Sequence, residues 1–216
     1  MCIVFSSNFY VKISNNNTIT KMNDWDLYDG LGNRKYLIPE EREKYYDAIP
    51  EALNREQRTF ALMLYYTGCR ISEALTVQHS RIDYSRQGVV FKTLKRKKKI
   101  FRFVPLPSPF LEKLDDVHHV QDMQKDKATQ NEKIWSFGRT TGWTAITKVM
   151  SKAKIKGIHA VPKGLRHSFV IHHQGLSTPD HIIQRWMGWA SRDMMEVYGR
   201  AVGEEERNLA SKLWSK

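Results

Sequence analysis

The chain has 216 residues, of which 41% are hydrophobic and 27% are charged, a balance typical of a folded globular protein. No run approaches the roughly 18 consecutive apolar residues that span a membrane, so we do not expect a membrane protein. Lys and Arg number 35 against 23 acidic residues, and this net charge of +12 favours a polyanionic partner such as nucleic acid without naming a reaction.

The N-terminal sequence and the cysteines bear on the cellular compartment. The opening MCIVFSSNFYVKIS has no basic start before its short apolar run and no convincing cleavage site, so no signal peptide is predicted. Cys2 and Cys69 are the only cysteines in the sequence, and two isolated cysteines make neither a disulfide framework nor a metal-ligand set. The sequence therefore predicts a protein of the reducing cytoplasm.

The first half of the chain predicts an irregular start followed by helices. Residues 1–36 are rich in Asn, Ser and Gly without a sustained period, which indicates a lead-in segment. A first helix is expected to begin at Pro39, because proline suits the first helical turn and the acids that follow it favour the positive end of the helix dipole. A second helix over about 55–66 is expected to end before Gly68, and a third over 70–76 follows.

The middle of the chain predicts a small sheet. Residues 88–91 and 100–104 are rich in β-branched and aromatic side chains, and they flank the basic run 95–99. This pattern indicates a two- or three-stranded antiparallel sheet with a strongly basic turn. The polar residues 115–133 predict an exposed helix or loop.

The last third predicts more helices. One is expected over 141–153, another from near Leu165, and another with Pro179 in its first turn and Gly188 at its end. The tail 204–216 is amphipathic. The predicted fold class is therefore α+β and mainly α-helical, with a small antiparallel β-sheet.

Four short segments carry the chemistry. They are TGCRISEAL at 67–75, the basic turn 95–99 leading into VPL, KGLRHSF at 163–169, and MGWAS at 187–191 followed by Tyr198. In order and spacing they resemble the tyrosine recombinase and phage integrase family, from Tyr36 to Ala201. The resemblance implies that family's catalytic-domain fold over 37–216, with double-stranded DNA as partner, and a nucleophile at Tyr198.

Two arginines are the candidates for binding the scissile phosphate. Breaking a phosphodiester without a metal requires neutralisation of its non-bridging oxygens, and guanidinium groups match phosphate bidentately while staying charged. Arg70 and Arg166 are these candidates, although Arg70 alone could equally be a surface residue paired with Glu73. Arg166 lies in an apolar helix start, where an unpaired charge is costly unless it serves a ligand. No cofactor and no metal site are predicted.

The resemblance implies that a lysine on the sheet turn protonates the leaving 5′ oxygen. Counting forward from the first strand favours Lys95, whereas counting back from the second strand favours Lys97, and we select Lys95. Lys97, Lys98 and Lys99 are expected to contact DNA.

The remaining site residues follow from the same resemblance. Tyr198 attacks phosphorus to form a 3′-phosphotyrosyl link, and its phenol needs a base or hydrogen-bond partner. The family has histidine at the position of Lys163, a departure that leaves open whether this lysine accepts a proton, lowers the tyrosine pKa or only contacts DNA. Trp189 stands where histidine is more frequent and is expected to donate to the phosphate and support Tyr198, or only to pack. His167 and Glu73 are expected to support the site structurally.

Three further predictions concern His159, the N-terminal residues and the C-terminal tail. His159 is expected to be an exposed loop residue rather than a substitute base. About 36 residues cannot hold the core-binding domain that usually precedes such a catalytic domain, so a fragment, a minimal natural enzyme or clamping with partners is expected, and the lead-in favours the minimal enzyme. The amphipathic tail fits a helix that docks on a neighbouring subunit of a DNA-bound tetramer, although it could also pack on its own domain.

Three functions stay open at this point. The first is a site-specific recombinase or integrase of a prokaryotic, nucleoid-bound or mobile genetic element. The second is a DNA-binding accessory protein with little catalysis, which the departure at Lys163 favours and an intact Tyr198 disfavours. The third is DNA relaxation of the type IB topoisomerase kind.

Overall fold

The structure is a computed structural model that describes residues 26–93, 100–199 and Ser211. Helices dominate it, and one small antiparallel sheet accompanies them, which confirms the predicted fold class. In chain order the elements are α1 (Pro39–Ala52), α2 (Arg55–Thr67), α3 (Ile71–Ala74), β1 (Ile82–Asp83), β2 (Gly88–Thr93), β3 (Ile100–Pro105), α4 (Ser108–His118), α5 (Val120–Lys125), α6 (Arg139–Lys152), α7 (Pro162–Gly175), α8 (Asp180–Met187) and α9 (Asp193–Tyr198).

Helix α2 forms the centre of the main core, where it contacts α1, α4, α6 and α7. Its first turn is capped by Asn54, whose side chain accepts a hydrogen bond from the Gln57 backbone N–H at 2.9 Å. It ends at Gly68, which has a φ of +57° and thus the left-handed conformation that favours glycine. A Cβ at Gly68 would lie 2.7 Å from the ring of Phe169. The end of α2 is therefore held directly against α7.

The sheet has the predicted antiparallel pairing, with the strands in the order β1-β2-β3. Val89 lies opposite Val104 in the register of β2 and β3. Burial alternates along β3, because side chains of a strand point to opposite faces in turn, and Arg102 and Val104 share the buried face. The basic turn between β2 and β3 lies outside the described residues.

The segment after the sheet contains a helix that the sequence patterns above did not predict. Helix α4 follows Pro107 and buries Phe110, Leu111 and Leu114 against α2. The exposed helix or loop predicted over 115–133 corresponds to the last turn of α4, to α5 and to the turns that follow it. These apolar residues make a short helical pattern that directly follows a strand, so the pattern alone did not indicate a helix.

Helices α7, α8 and α9 enclose a second hydrophobic cluster. Its members from these helices and their connections include Val170, Ile183, Met187, Met195 and Tyr198. Leu27 and Tyr36 also belong to this cluster, at 4% and 8% exposure. The last part of the N-terminal segment therefore belongs to the same hydrophobic cluster as the predicted nucleophile.

Two glycines of α7 provide a matched prediction about stability. A Cβ at Gly164 would overlap the carbonyl oxygen of His159, whereas a Cβ at Gly175 meets nothing within 4 Å. We expect Gly164→Ala to lower the free energy of unfolding by about 1–3 kcal/mol, because backbone must shift. Gly175→Ala should be neutral or stabilising by up to about 1 kcal/mol. Urea denaturation of both variants measures the difference, and equal stabilities would contradict the close packing of α7 on residue 159.

Candidate active site

The site is built around the buried carboxylate of Glu73 at the start of α3. Arg70 is the N-cap residue of this helix, and its backbone N–H donates to Glu73 Oε2 at 3.0 Å. The guanidinium of Arg70 returns to the same carboxylate, with Nη1 at 3.1 Å from Oε1. The side chain of Glu73 is 1% exposed and that of Arg70 is 21% exposed. The guanidinium of Arg70 is therefore fixed to Glu73 at the side of the site that is open to solvent.

Arg166 approaches this carboxylate from α7. Its Nη1 donates to the Gly68 carbonyl at 2.6 Å, its Nη2 donates to the Met187 carbonyl at 3.0 Å, and Glu73 lies 4.0 Å away. Burial, followed by repulsion from Arg70, lowers the pKa of Arg166 to about 9, so the group is still protonated at neutral pH. Arg166 therefore connects the ends of α2 and α8 while remaining a cation.

Arg102 is the third arginine around Glu73 and is buried like Arg166, but it is not among the residues predicted from the sequence. From β3 it donates Nη2 to Glu73 at 2.8 Å, Nη1 to Thr93 at 3.2 Å and Nε to the Trp186 carbonyl at 2.7 Å. Its side chain is only 3% exposed. The alternation of β3, in which residue 102 shares a face with Val104, is the signal that could have found it.

Glu73 is held as a carboxylate by these arginines. Burial alone would raise its pKa, but Arg102 and Arg166, together with hydrogen bonds from Arg102 and the Arg70 backbone, hold the pKa below its ordinary value. The carboxylate thereby joins residues of α3, β3 and α7 in one charged cluster. The supporting role of Glu73 in the reaction stays a prediction.

Tyr198 ends α9 and is 1% exposed. Its hydroxyl oxygen lies 2.6 Å from Nδ1 of His167, and the two ring centroids are 5.6 Å apart. Burial raises the pKa of Tyr198, while the positive charges of Arg166 and Arg70 oppose this increase. The tyrosine hydroxyl is therefore close to a histidine nitrogen and within the electrostatic reach of two guanidinium groups.

Trp189 stacks on the ring of Tyr198. The chain reaches it through Gly188, which ends α8 with a φ of +69°. The indole is 9% exposed and stacks on Tyr198, with centroids 5.3 Å apart and planes inclined by 27°. A Cβ at Gly188 would lie 3.1 Å from Cδ of Arg102, so the end of α8 is also closely packed against the arginine cluster.

The remaining predicted residues lie at the surface, in another ion pair or outside the described residues. Lys163 is exposed in the first turn of α7. Lys95, Lys97, Lys98 and Lys99 and the tail 204–216, apart from Ser211, fall outside the described residues. His159 is not the exposed loop residue that was expected, since it is 6% exposed and its Nε2 lies 3.3 Å from Oε1 of Glu41. A loop histidine is buried here because α1 passes close to the start of α7.

Two features are absent from the described part of the chain. Over these residues, no group of three or more His, Cys, Asp or Glu side chains is arranged to hold a metal ion. No helix within the same residues is both long and apolar enough to cross a membrane.

Solved structures share this arrangement of helices and sheet. The XerH site-specific recombinase, in a post-cleavage complex with a palindromic difH substrate, superposes with a TM-score of 0.72 at 19% identity, over 92% of this chain and 59% of that one. The XerA recombinase superposes with a TM-score of 0.66 at 20% identity, over 84% and 65%. The fold is that of a tyrosine recombinase catalytic domain.

Sequence comparison gives the family. The model of the phage integrase family matches residues 35–204, and the chain therefore belongs to this family of tyrosine recombinases. Similar relatives are tyrosine recombinase XerA of Thermococcus onnurineus, 27% identical over 82% of this chain, and XerA of Pyrococcus furiosus, 29% identical over 83%. The chain spans 62% and 64% of the length of these two relatives.

Proposed function

We propose that this chain is the catalytic domain of a site-specific DNA recombinase that cleaves and rejoins DNA through a 3′-phosphotyrosyl intermediate. The observation that carries the proposal is the Tyr198 hydroxyl beside Nδ1 of His167, where the positive charges of Arg166 and Arg70 act to lower its pKa. A protein that only binds DNA needs cations, but it has no need of a tyrosine hydroxyl among them. Membership of the phage integrase family supports the same reaction.

The proposed reaction assigns a role to each charged group. Arg70 and Arg166 neutralise the non-bridging oxygens as the phosphate becomes pentacovalent, an electrostatic contribution that is often the largest in such a step. Tyr198 attacks phosphorus, and the 5′ oxygen leaves with a proton from Lys95. Trp189 donates its indole N–H to the phosphate and supports the nucleophile, and Lys163 binds an adjacent phosphate.

The proposed covalent link conserves the energy of the broken bond. Attack by a 5′ hydroxyl on the phosphotyrosine restores the DNA backbone, so the reaction as proposed uses no nucleotide cofactor and no metal. Exchange then requires a second duplex and more than one copy of the protein. We propose a tetramer on DNA, assembled through the tail 204–216, with Lys97, Lys98 and Lys99 contacting phosphates.

The proposed domain and its location follow from the same function. The catalytic domain is assigned to residues 37–216, and residues 1–36 form a segment that precedes it. A DNA recombinase of a prokaryotic chromosome or mobile element would act in the cytoplasm, on the nucleoid.

Trapping the covalent intermediate tests the proposal. The full chain is incubated with nicked duplexes whose flanking sequences are randomised, because a nick beside the scissile phosphate releases a short strand and prevents rejoining. We expect a covalent protein–DNA complex that survives a denaturing gel. Protease digestion followed by mass spectrometry should identify the linked peptide as the one that contains Tyr198. Sequencing the trapped duplexes provides the preferred site for later rate measurements.

The outcomes separate the three functions. Binding of duplex DNA without any covalent complex across the library would overturn the proposal in favour of an accessory DNA-binding role. Relaxation of supercoiled plasmid carrying two preferred sites, without any recombinant product, would favour the relaxation reaction. A complex formed through a residue other than Tyr198 would show that the nucleophile is wrongly assigned.

A further inference from the structure

We propose that His167 is the general base of the cleavage step and accepts the proton of Tyr198 on Nδ1. This inference rests on the proposed function and adds to it the group that activates the nucleophile. From the sequence, His167 is expected to have only a structural role, and Lys163 stays among the candidates for activating Tyr198. The geometry of α7 and α9 points to His167 instead.

The distance between the two groups is the first argument. Nδ1 of His167 and the hydroxyl oxygen of Tyr198 lie 2.6 Å apart, a short hydrogen-bond distance at which an unprotonated Nδ1 accepts from the tyrosine O–H. A general base must lie within hydrogen-bond reach of the proton that it removes. His167 is 0% exposed, and packing on α7 fixes its ring beside the tyrosine.

The position of Lys163 is the second argument. It precedes His167 by four residues in the same helix, so both side chains lie on one side of α7, a single turn apart. Lys163 is in the exposed first turn, whereas His167 is in the buried second turn beside Tyr198. The helix therefore presents the lysine to solvent and the imidazole to the nucleophile.

The electrostatics of the site are the third argument. Burial raises the pKa of Tyr198, which makes the phenol a poor source of phenolate at neutral pH without a proton acceptor. An imidazole has a pKa near 6.5 in water, and a neutral imidazole can accept a proton that a hydrated lysine ammonium cannot. The guanidinium groups of Arg70 and Arg166 stabilise the developing phenolate, but a guanidinium carries only hydrogen-bond donors and cannot accept the proton.

The proposed step balances in both directions. The proton of the Tyr198 hydroxyl moves to Nδ1 of neutral His167 as the bond from Oη to phosphorus forms and the bond from phosphorus to the 5′ oxygen breaks. The leaving oxygen takes its proton from the general acid, so His167 ends as an imidazolium. During rejoining, the imidazolium returns the proton to the tyrosine oxygen as the 5′ hydroxyl attacks.

Tyr198 is buried before DNA arrives, so the test measures rates on DNA, where the phosphate is in place.

The test separates proton transfer from positioning. In His167→Asn, the side-chain oxygen replaces Nδ1 as a hydrogen-bond acceptor, but an amide cannot take up the proton. We expect the single-turnover rate of covalent complex formation on nicked DNA to fall by about 10²-fold or more. Incorporation of difluorotyrosine at position 198, whose phenol ionises more readily, should restore most of the lost rate. A substrate with sulfur in place of the bridging 5′ oxygen, which leaves without a proton, should not restore it.

The controls keep this inference distinct from the proposed function. His181→Asn, an exposed histidine on α8, should react at the wild-type rate. If the wild-type protein forms no covalent complex, the proposed function fails. If the wild-type protein reacts and His167→Asn reacts equally fast, only the role of His167 fails. Rescue by the sulfur substrate instead of difluorotyrosine would make His167 an acid and would overturn the inference.

A second measurement does not depend on the folding of a His167 variant. Difluorotyrosine is placed at position 198 of the otherwise wild-type protein. If His167 removes the proton during attack, the rate with difluorotyrosine should differ from the wild-type rate by less than about tenfold. The reason is that His167 already compensates in the wild-type protein for the higher pKa of the natural tyrosine. A rate that increases in proportion to the larger phenolate fraction of difluorotyrosine would contradict the proposal. Circular dichroism and DNA-binding affinity verify that each variant is folded and binds its site.

Discussion

Tyr198→Phe should form no detectable covalent complex with DNA, while it still binds duplex DNA with nearly wild-type affinity. Phenylalanine retains the ring that stacks on Trp189 but lacks the oxygen that would attack phosphorus. Water could cleave the DNA but could not form a bond between the protein and the DNA. The loss of the covalent complex should therefore be complete rather than partial. A denaturing gel with labelled nicked DNA measures the complex, and fluorescence anisotropy measures binding.

A second tyrosine of the same cluster is the matched control. Tyr36 is 8% exposed, and its hydroxyl lies 3.2 Å from that of Tyr28. Tyr36→Phe therefore removes one hydroxyl from the same hydrophobic cluster without touching the proposed nucleophile. We expect this variant to form the covalent complex. Loss of the complex in both variants, with equal losses of stability, would mean that the effect of Tyr198→Phe is structural.

Glu73→Gln should lower the free energy of unfolding by about 3–5 kcal/mol, because it leaves buried arginines without their carboxylate. The side chain of Glu73 is 1% exposed and that of Arg102 is 3% exposed, so solvent compensates little for the lost charge. Such a change is a large part of the ordinary stability of a domain. Urea denaturation at pH 7 measures it, with Glu40→Gln, an exposed acid in the first turn of α1, as control. Glu40→Gln should cost less than about 1 kcal/mol.

The pH dependence of this effect has a definite sign. The pKa of Glu73 is lower in the folded protein than its ordinary value of 4.5, so its charged form stabilises the fold above that pH. The stabilisation is lost as the pH falls from 4.5 through the lowered pKa. The difference in stability between the wild-type protein and Glu73→Gln should therefore narrow in acid. A difference that stays constant from neutral pH down into this range would contradict the ionised state of Glu73.

The helices and the sheet were largely predictable because local patterns specify them. Pro39 and Gly68 mark helix ends through backbone preferences that need no tertiary information. The motif segments around Arg70 and Arg166 could be recognised for a similar reason, since residue types and spacing are visible in the sequence. Helix α4 was missed because its apolar spacing is short and directly follows a strand.

The contacts within the site were not predictable, because they join residues that are far apart in the chain. Arg102 and Glu73 are 29 residues apart, and His167 and Tyr198 are 31 apart. No local pattern states that β3 turns an arginine inward onto α3, or that α9 brings its last residue to α7. His159 illustrates the opposite error, because a histidine in a loop was expected to be exposed and is instead covered by α1.

The anchoring of Arg166 has a consequence for the thermodynamics of binding. Its guanidinium is already fixed by the Gly68 and Met187 carbonyls before any phosphate arrives. Ordering an arginine side chain costs about 2 kcal/mol of rotamer entropy. For Arg166 this cost belongs to the free energy of folding and not to the free energy of DNA binding. A phosphate that enters the site therefore meets a cation with its orientation already set. The same short bonds would make the orientation of this cation depend on where α8 ends, so a small displacement of that helix would weaken the site without removing a single charge.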